Sequence, residues 1–320
     1  MKLNQPVRIA SLLISFVAAL SMSLAQAAEP PRVLASIQPI HSLTAMVMER
    51  VAEPELFWTA SQSPHEESLR PSDVRKLNQA DLVIWIGPDL EMAMEKSIET
   101  LPADHVLTLE TVEDLWRLPV RVDPAWGMHS HGHDEHGHHH HHDASVDAHL
   151  WLSPRNARVI VEAIRDRLLV IDPSRAAIYR ENTERALARI QAVETVLHKQ
   201  LAAVRAVPYL VFHDAYQYFE LSFAMNAIGT VQLSPERTAG ARHLHALHEQ
   251  IHAKQVQCLF SEPQFEPTQV KALAARGEVR LGVLDPLGDG LQPGAEAWPS
   301  LMKNLGNALV ECLGADAPGR

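Results

Sequence analysis

Cysteine is scarce in this chain: only Cys258 and Cys312 occur in 320 residues. Neither belongs to a CxxC pair, so a thiolate-built metal site is not expected. There is no glycine-rich phosphate loop and no nucleophile elbow, which weakens enzyme readings built on phosphoryl transfer or a nucleophilic serine. Positive charge is also short, with 28 Lys and Arg against 39 Asp and Glu and a formal net charge of −11. That balance argues against nucleic acid as a partner and suits the attraction of cations. No internal repeat of solenoid period is present. Beyond one N-terminal stretch, no run approaches the roughly 18 apolar residues needed to span a bilayer.

The N-terminal stretch reads as a targeting signal. Lys2 and Arg8 precede the apolar segment Ile9 to Leu24, and Ala25-Gln26-Ala27 is a small-residue cleavage signal. A signal peptide over residues 1–27 is expected, with export and a mature start at Ala28. No cysteine follows the apolar segment, so no lipid anchor is expected. Loss of Lys2 and Arg8 takes the formal charge from −11 to −13, because residues 1–27 hold no acid. The remaining chain, about 290 residues, exceeds one usual core and implies two lobes. In an oxidising compartment a Cys258–Cys312 disulfide is the natural reading, with two buried thiols as the alternative.

Short apolar runs bounded by turn residues alternate with helical patterns, the signature of parallel-sheet α/β units. Strands are expected at Arg32–Ile37, Asp81–Ile86 and Val106–Leu109, and again at Pro208–Phe212, Val256–Phe260 and Val279–Leu284. Helices are expected at His41–Arg50 and Pro71–Gln79. From Pro173 to Val204 no Gly or Pro interrupts, and Ile178, Leu187, Ile190, Val193, Leu197 and Leu201 recur at helical spacing. A helix of that length covers about 45 Å, enough to run across two lobes. The expected organisation is a first lobe over 28–172, a linking helix over 173–205 and a second lobe over 206–320.

What the chain has in excess is histidine, 19 in all. Nine fall at His129, His131, His133, His136, His138, His139, His140, His141 and His142. This glycine- and acid-interrupted tract has no means of forming a core and reads as a solvated, weak auxiliary metal loop. The principal site is expected elsewhere. His65 precedes a helix, His149 lies between the tract and the next helix, and His213 ends the apolar run Tyr209–Phe212. Open α/β sheets bind ligands at the carboxyl ends of their strands, where these residues fall. Asp285 ends another such run. Taken singly, each is more often a hydrogen-bonded structural residue than a ligand.

At these positions the chain resembles the ZnuA-type zinc-binding proteins, the periplasmic solute-binding components of ABC metal importers. The resemblance rests on ASIQPIHSL, SPHEESLRPSDVRKLNQADLVIWIGPDLE, the His-rich tract, DAHLWLSPRNA, VFHDAYQYFE, CLFSEPQFEP and VLDPLG. It implies two α/β lobes joined by a long helix, with a metal in the interlobe cleft. The resemblance implies His65, His149 and His213 as ligands, Zn²⁺ as cargo, an inner-membrane permease as docking partner, and a periplasmic monomer that catalyses nothing. Related manganese-binding members carry a carboxylate where His213 stands, and three imidazoles favour zinc over the harder ion. A manganese or broad-metal carrier is the nearest alternative. Some members have a Glu just before the first histidine. Here Pro64 stands there, leaving water, Asp285, Glu66 or Glu67 for the fourth position, with Asp285 as ligand or orienting acceptor.

A rival motif is present. His248-Glu249-Gln-Ile-His252 matches H-E-x-x-H, which on a helix would make a zinc hydrolase with Glu249 as general base. The same string reads as the polar face of a helix whose buried side is Leu244, Leu247 and Ile251. A third ligand is not obvious, Glu262 being the nearest acid. A weak auxiliary site among His243, His245, His248 and His252 is left open.

Overall fold

The computed structural model describes residues 29–65, 68–121, 146–232 and 239–314. The expected signal peptide, Glu66, Glu67 and the tract from His129 to His142 lie outside these residues. Among the described residues, two four-stranded, wholly parallel sheets carry the fold. The first is built from β1 (Val33–Ala35), β2 (Glu55–Leu56), β3 (Leu82–Trp85) and β4 (Val106–Thr108), in the order β2-β1-β3-β4. The second holds β5 (Tyr209–Val211), β6 (Ala227–Thr230), β7 (Cys258–Ser261) and β8 (Arg280–Val283), in the equivalent order β6-β5-β7-β8. Central strands β1, β3, β5 and β7 are buried throughout, which is why they read as unbroken apolar runs rather than alternating ones.

The strands are shorter than the runs that announced them. Ile37 and Ile86 flank β1 and β3, and both are buried in the core without belonging to the ladder. Crossover helices α1 (Gln38–Met48), α2 (Pro71–Gln79) and the short α3 (Glu95–Ile98) serve the first sheet. Pro71 opens α2, and the Asp73 carboxylate accepts the Arg70 N–H at 2.8 Å, fixing its first turn. Helix α4 (Pro154–Ile171) begins the same way, with Pro154 after Ser153, whose hydroxyl accepts from the Asn156 N–H.

The long helix is α5 (Ala176–Leu201), preceded by a 3-10 turn over Pro173–Arg175. Its buried face carries Ile190, Val193, Leu197 and Leu201, as its periodicity requires, but also Tyr179, Asn182 and Thr183. Asn182 donates to the carbonyls of Val47 and Glu49, each at 2.7 Å, and so closes the end of α1. Farther along, Arg158 of α4 pairs with Glu194 at 2.8 Å, and Gln200 donates to Asn307 of α9 (Ala297–Gly314) at 2.7 Å. One helix thus fastens both lobes. Gly306 of α9 faces Leu197 so closely that a Cβ there would meet its Cδ2 at 2.5 Å.

The remaining helices, α6 (Gln217–Phe223), α7 (Ala241–Ala253) and α8 (Thr268–Gly277), belong to the second sheet. A single apolar cluster runs from β1 and α1 through α4 and α5 to β5, Phe260 and α9, so the two lobes share a core. A second cluster, including Leu210, Leu247, Ile251, Leu259 and Val270, holds α7 and α8 to the outer side of the second sheet. Cys258 of β7 and Cys312 of α9 form a disulfide with Cα atoms 6.2 Å apart. Among the described residues no helix is long and apolar enough to cross a membrane.

Candidate metal centre

Three histidines distant in sequence meet between the lobes. His65 comes from the loop between β2 and α2, His149 from the segment entering α4, and His213 from the end of β5. One ring nitrogen of each lies within 4.8 Å of the others. His149 and His213 are buried, while His65 is half-buried. The Nε2 atoms of His149 and His213 are 3.4 Å apart. Two imidazoles on a tetrahedral zinc, at 2.0–2.1 Å each, would place their nitrogens about 3.3 Å apart, so this edge already has ligand spacing.

Two carboxylates set the chemistry of that edge. Asp147 Oδ1 lies 2.8 Å from His149 Nδ1 and also accepts the His149 backbone N–H at 3.0 Å. Glu262, at the end of β7, puts Oε1 2.8 Å from His213 Nδ1. An ionised carboxylate can only accept, so each Nδ1 carries the hydrogen and each Nε2 is left with a lone pair. Two lone pairs pointed at each other repel unless a proton or metal cation lies between them. The two acids also supply the negative charge that a buried dication needs.

Proton affinities divide accordingly. Desolvation pulls the His213 imidazole down, but the Glu262 charge and hydrogen bond, with Asp214 and Asp147 behind them, leave it above the ordinary histidine value. His65 is held well below that value by desolvation, then by the charges on His149 and His213. The cavity between the rings is small, with Leu90, Trp151, Phe265 and Leu287 on its walls, and its polar lining is chiefly the three imidazoles and Glu262. A space of that kind suits a single ion.

The surroundings are tied down. Trp151 Nε1 donates to the Pro286 carbonyl at 2.8 Å across the lobes, and His149 packs on Trp151 with ring centres 5.3 Å apart. Tyr218 OH accepts the Leu118 N–H at 2.9 Å and donates to the Asp147 carbonyl at 3.0 Å. Arg121, immediately before the undescribed residues 122–145, pairs with Asp214 and, at 2.9 Å, with Glu220. The chain leading into the histidine-rich tract is therefore anchored beside His213.

Asp285 is not among the donors grouped with the three imidazoles. Its Oδ1 accepts from Leu287 and Gly288 at 3.0 and 2.9 Å and from Gln264 at 2.8 Å, and its Oδ2 accepts from Asp289. It closes its own turn after β8, and the acids that orient the imidazoles are Asp147 and Glu262. The motif His248-Glu249-x-x-His252 lies on α7, and Glu262 is engaged by His213 rather than offered to it. Among the described residues only His65, His149 and His213 form a group of three or more potential ligands. His41 is buried with Nε2 2.8 Å from the Pro54 carbonyl, His105 is half-buried, and His198 is exposed on α5 against Phe223.

A two-lobed parallel α/β protein with a one-ion imidazole cleft belongs to the class of solute-binding proteins that carry metals. The profile of the zinc-uptake complex component A, periplasmic family (ZnuA) matches residues 33–312, and the chain belongs to that family. The high-affinity zinc uptake system protein ZnuA of Brucella abortus is 37% identical over 310 residues, covering 90% of this chain and 93% of the relative. The protein of that name from Yersinia pestis is 33% identical, covering 88% and 91%. In fold, the periplasmic zinc-binding protein TroA of Treponema pallidum superposes with a TM-score of 0.74 at 18% identity, covering 89% of this chain and 99% of that one. The family is one of substrate-binding proteins, not enzymes, which disposes of the hydrolase reading of α7.

Proposed function

We propose that this protein captures Zn²⁺ in the periplasm through His65, His149 and His213 and hands it to an inner-membrane ABC permease, working as a monomer. The observation that carries the ligand assignment is the 3.4 Å Nε2 to Nε2 approach of two imidazoles whose Nδ1 atoms both face carboxylates. Neutral nitrogen donors without a carboxylate ligand favour zinc over manganese, which prefers oxygen. Membership of the zinc-uptake family and the names of the high-identity relatives support the same cargo. The naming of those relatives as parts of a high-affinity zinc uptake system supports release to a permease, and the N-terminal segment 1–27 would direct export.

Anomalous diffraction at the zinc edge from crystals of the zinc-loaded protein tests the ligand set. The expected result is one strong peak equidistant from the three imidazoles. A peak elsewhere with the cleft vacant would refute it. Calorimetry on His65→Ala, His149→Ala and His213→Ala should show zinc affinity reduced by orders of magnitude in each, because each removal leaves an incomplete tetrahedron.

A further inference from the structure

Outside the cleft, α7 carries the densest set of imidazoles among the described residues: His243, His245, His248 and His252 within one 13-residue helix. His243 is committed, its Nε2 2.9 Å from the Thr230 carbonyl. His248 and His252 are different. They stand four residues apart on one helix face, with ring centres 4.8 Å apart and planes nearly perpendicular at 89°. Nδ1 of His248 is buried without a hydrogen-bond partner, and His252 is exposed.

The backbone beneath them is rigid. Leu247, Gln250 and Ile251 are buried, and Leu247 and Ile251 pack in the apolar cluster on the outer side of the second sheet. The i to i+4 spacing is therefore fixed by folding, so a metal joining the two rings would have little backbone freedom to arrest. Alongside, between α7 and α8, is a cavity of about 300 Å³ bordered by His245, His248, Gln269 and Arg276. It opens beside His248, though not beside His252, and leaves room there for water to complete a coordination shell.

We propose that His248 and His252 form a second, solvent-facing metal site that chelates one divalent late transition ion. Two imidazoles with open positions suit Cu²⁺ best, then Ni²⁺ and Zn²⁺, following the intrinsic affinity order for nitrogen ligands. With two protein ligands in place of three, this site is weaker than the cleft and fills after it. It is independent of the cleft reading, because it shares no residue with it.

Diethyl pyrocarbonate footprinting tests this on the full-length protein preloaded with one equivalent of zinc. The reagent acylates free imidazole, metal coordination blocks it, and peptide mass spectrometry resolves each histidine. His198, a lone exposed imidazole on α5, gives the single-ligand baseline. As Cu²⁺ is added, His252 should be protected at a concentration roughly tenfold or more below that needed for His198, the advantage of a second tethered ligand. In His248→Ala that advantage should vanish, with cleft zinc affinity unchanged. Protection of His252 that tracks His198 in the unaltered protein, or that survives His248→Ala, would overturn the proposal.

Discussion

Glu262 Oε1 lies 2.8 Å from His213 Nδ1, although 49 residues separate them. The contact exists because β5 and β7 are adjacent parallel strands that end at the same edge, one delivering the imidazole and the other the acid. Geometry at that edge is thus a property of the sheet and not of a loop.

Glu262→Gln removes the charge while keeping the shape. The amide can accept from Nδ1–H or donate to a bare Nδ1, so the tautomer is no longer imposed. Zinc affinity should fall about 10- to 100-fold, the usual consequence of losing a carboxylate behind a ligating histidine. Calorimetry with a competing chelator measures it, and an unchanged affinity would remove Glu262 from the site. Asp147→Asn should behave alike through His149.

The pH dependence has a definite sign. Protons compete with zinc for Nε2, and His213 holds its proton at higher pH than an ordinary histidine, whereas His65 gives its proton up well below that range. As pH falls through the range where His213 takes up its proton, affinity should first decline by about tenfold per pH unit, the signature of one proton displaced per metal. The decline should begin above the ordinary imidazole range and start at lower pH in Glu262→Gln. A flat profile down to the usual histidine value would contradict the assignment of the first proton to His213.

Loss of the disulfide should cost stability but not metal. Cys258 and Cys312 close a loop of sequence separation 54, for which the chain-entropy estimate is about 4 kcal/mol. The doubly substituted Cys258→Ser, Cys312→Ser protein should unfold at lower denaturant while retaining zinc affinity, since neither residue lines the cleft. Denaturation monitored by circular dichroism, alongside calorimetry, separates the two effects.

Asn182→Ala leaves the buried carbonyl of Val47 and the half-buried carbonyl of Glu49 without their donor. The expected destabilisation is about 2 kcal/mol, the ordinary cost of unsatisfied buried acceptors. Equal stability of variant and parent would mean that water replaces the amide.

Removing residues 129–142 should abolish most of the weak, superstoichiometric zinc binding, leaving one tight site and only the weak pair on α7. A metal site that must first fix its own backbone costs about 1–2 kcal/mol of backbone freedom per residue, whereas a folded cleft has met that cost already. Calorimetric loss of the tightest site in the deletion would reverse this ranking.

The sequence made the alternating architecture legible, because buried parallel strands read as apolar runs, and one of them runs into His213. His65 and His149 lie on connecting segments and were legible only through the motifs SPHEESLRPSD and DAHLWLSPRNA. Strands β2 and β6 escaped notice: β2 is two residues long and not buried, and β6 reads Ala-Ile-Gly-Thr, with too little apolar bulk to stand out. The orienting acids escaped for another reason. Asp285 and Glu262 both end strands, and nothing local says which carboxylate turns back on its own turn and which reaches a neighbouring imidazole. Asp147 left a usable clue in Asp-Ala-His, a spacing at which one carboxylate can hold both the backbone N–H and the ring of the histidine.

The shared core bears on how the cargo can leave. Parting the two sheets would strip apolar surface from α1, α4, α5 and α9 together, at about 25 cal/mol per Å², so a few hundred Å² would already cost several kcal/mol. Wide hinging is therefore an expensive route for unloading. Of the three imidazoles only His65 is half-buried, and it rides on a connecting loop rather than on the end of a central strand. On the proposed ligand set, release is stepwise, with His65 detaching first and the carboxylate-backed pair last. On that reading unloading calls for the displacement of one loop, and its rate is a local property, tunable between Phe57 and His65 without touching the scaffold.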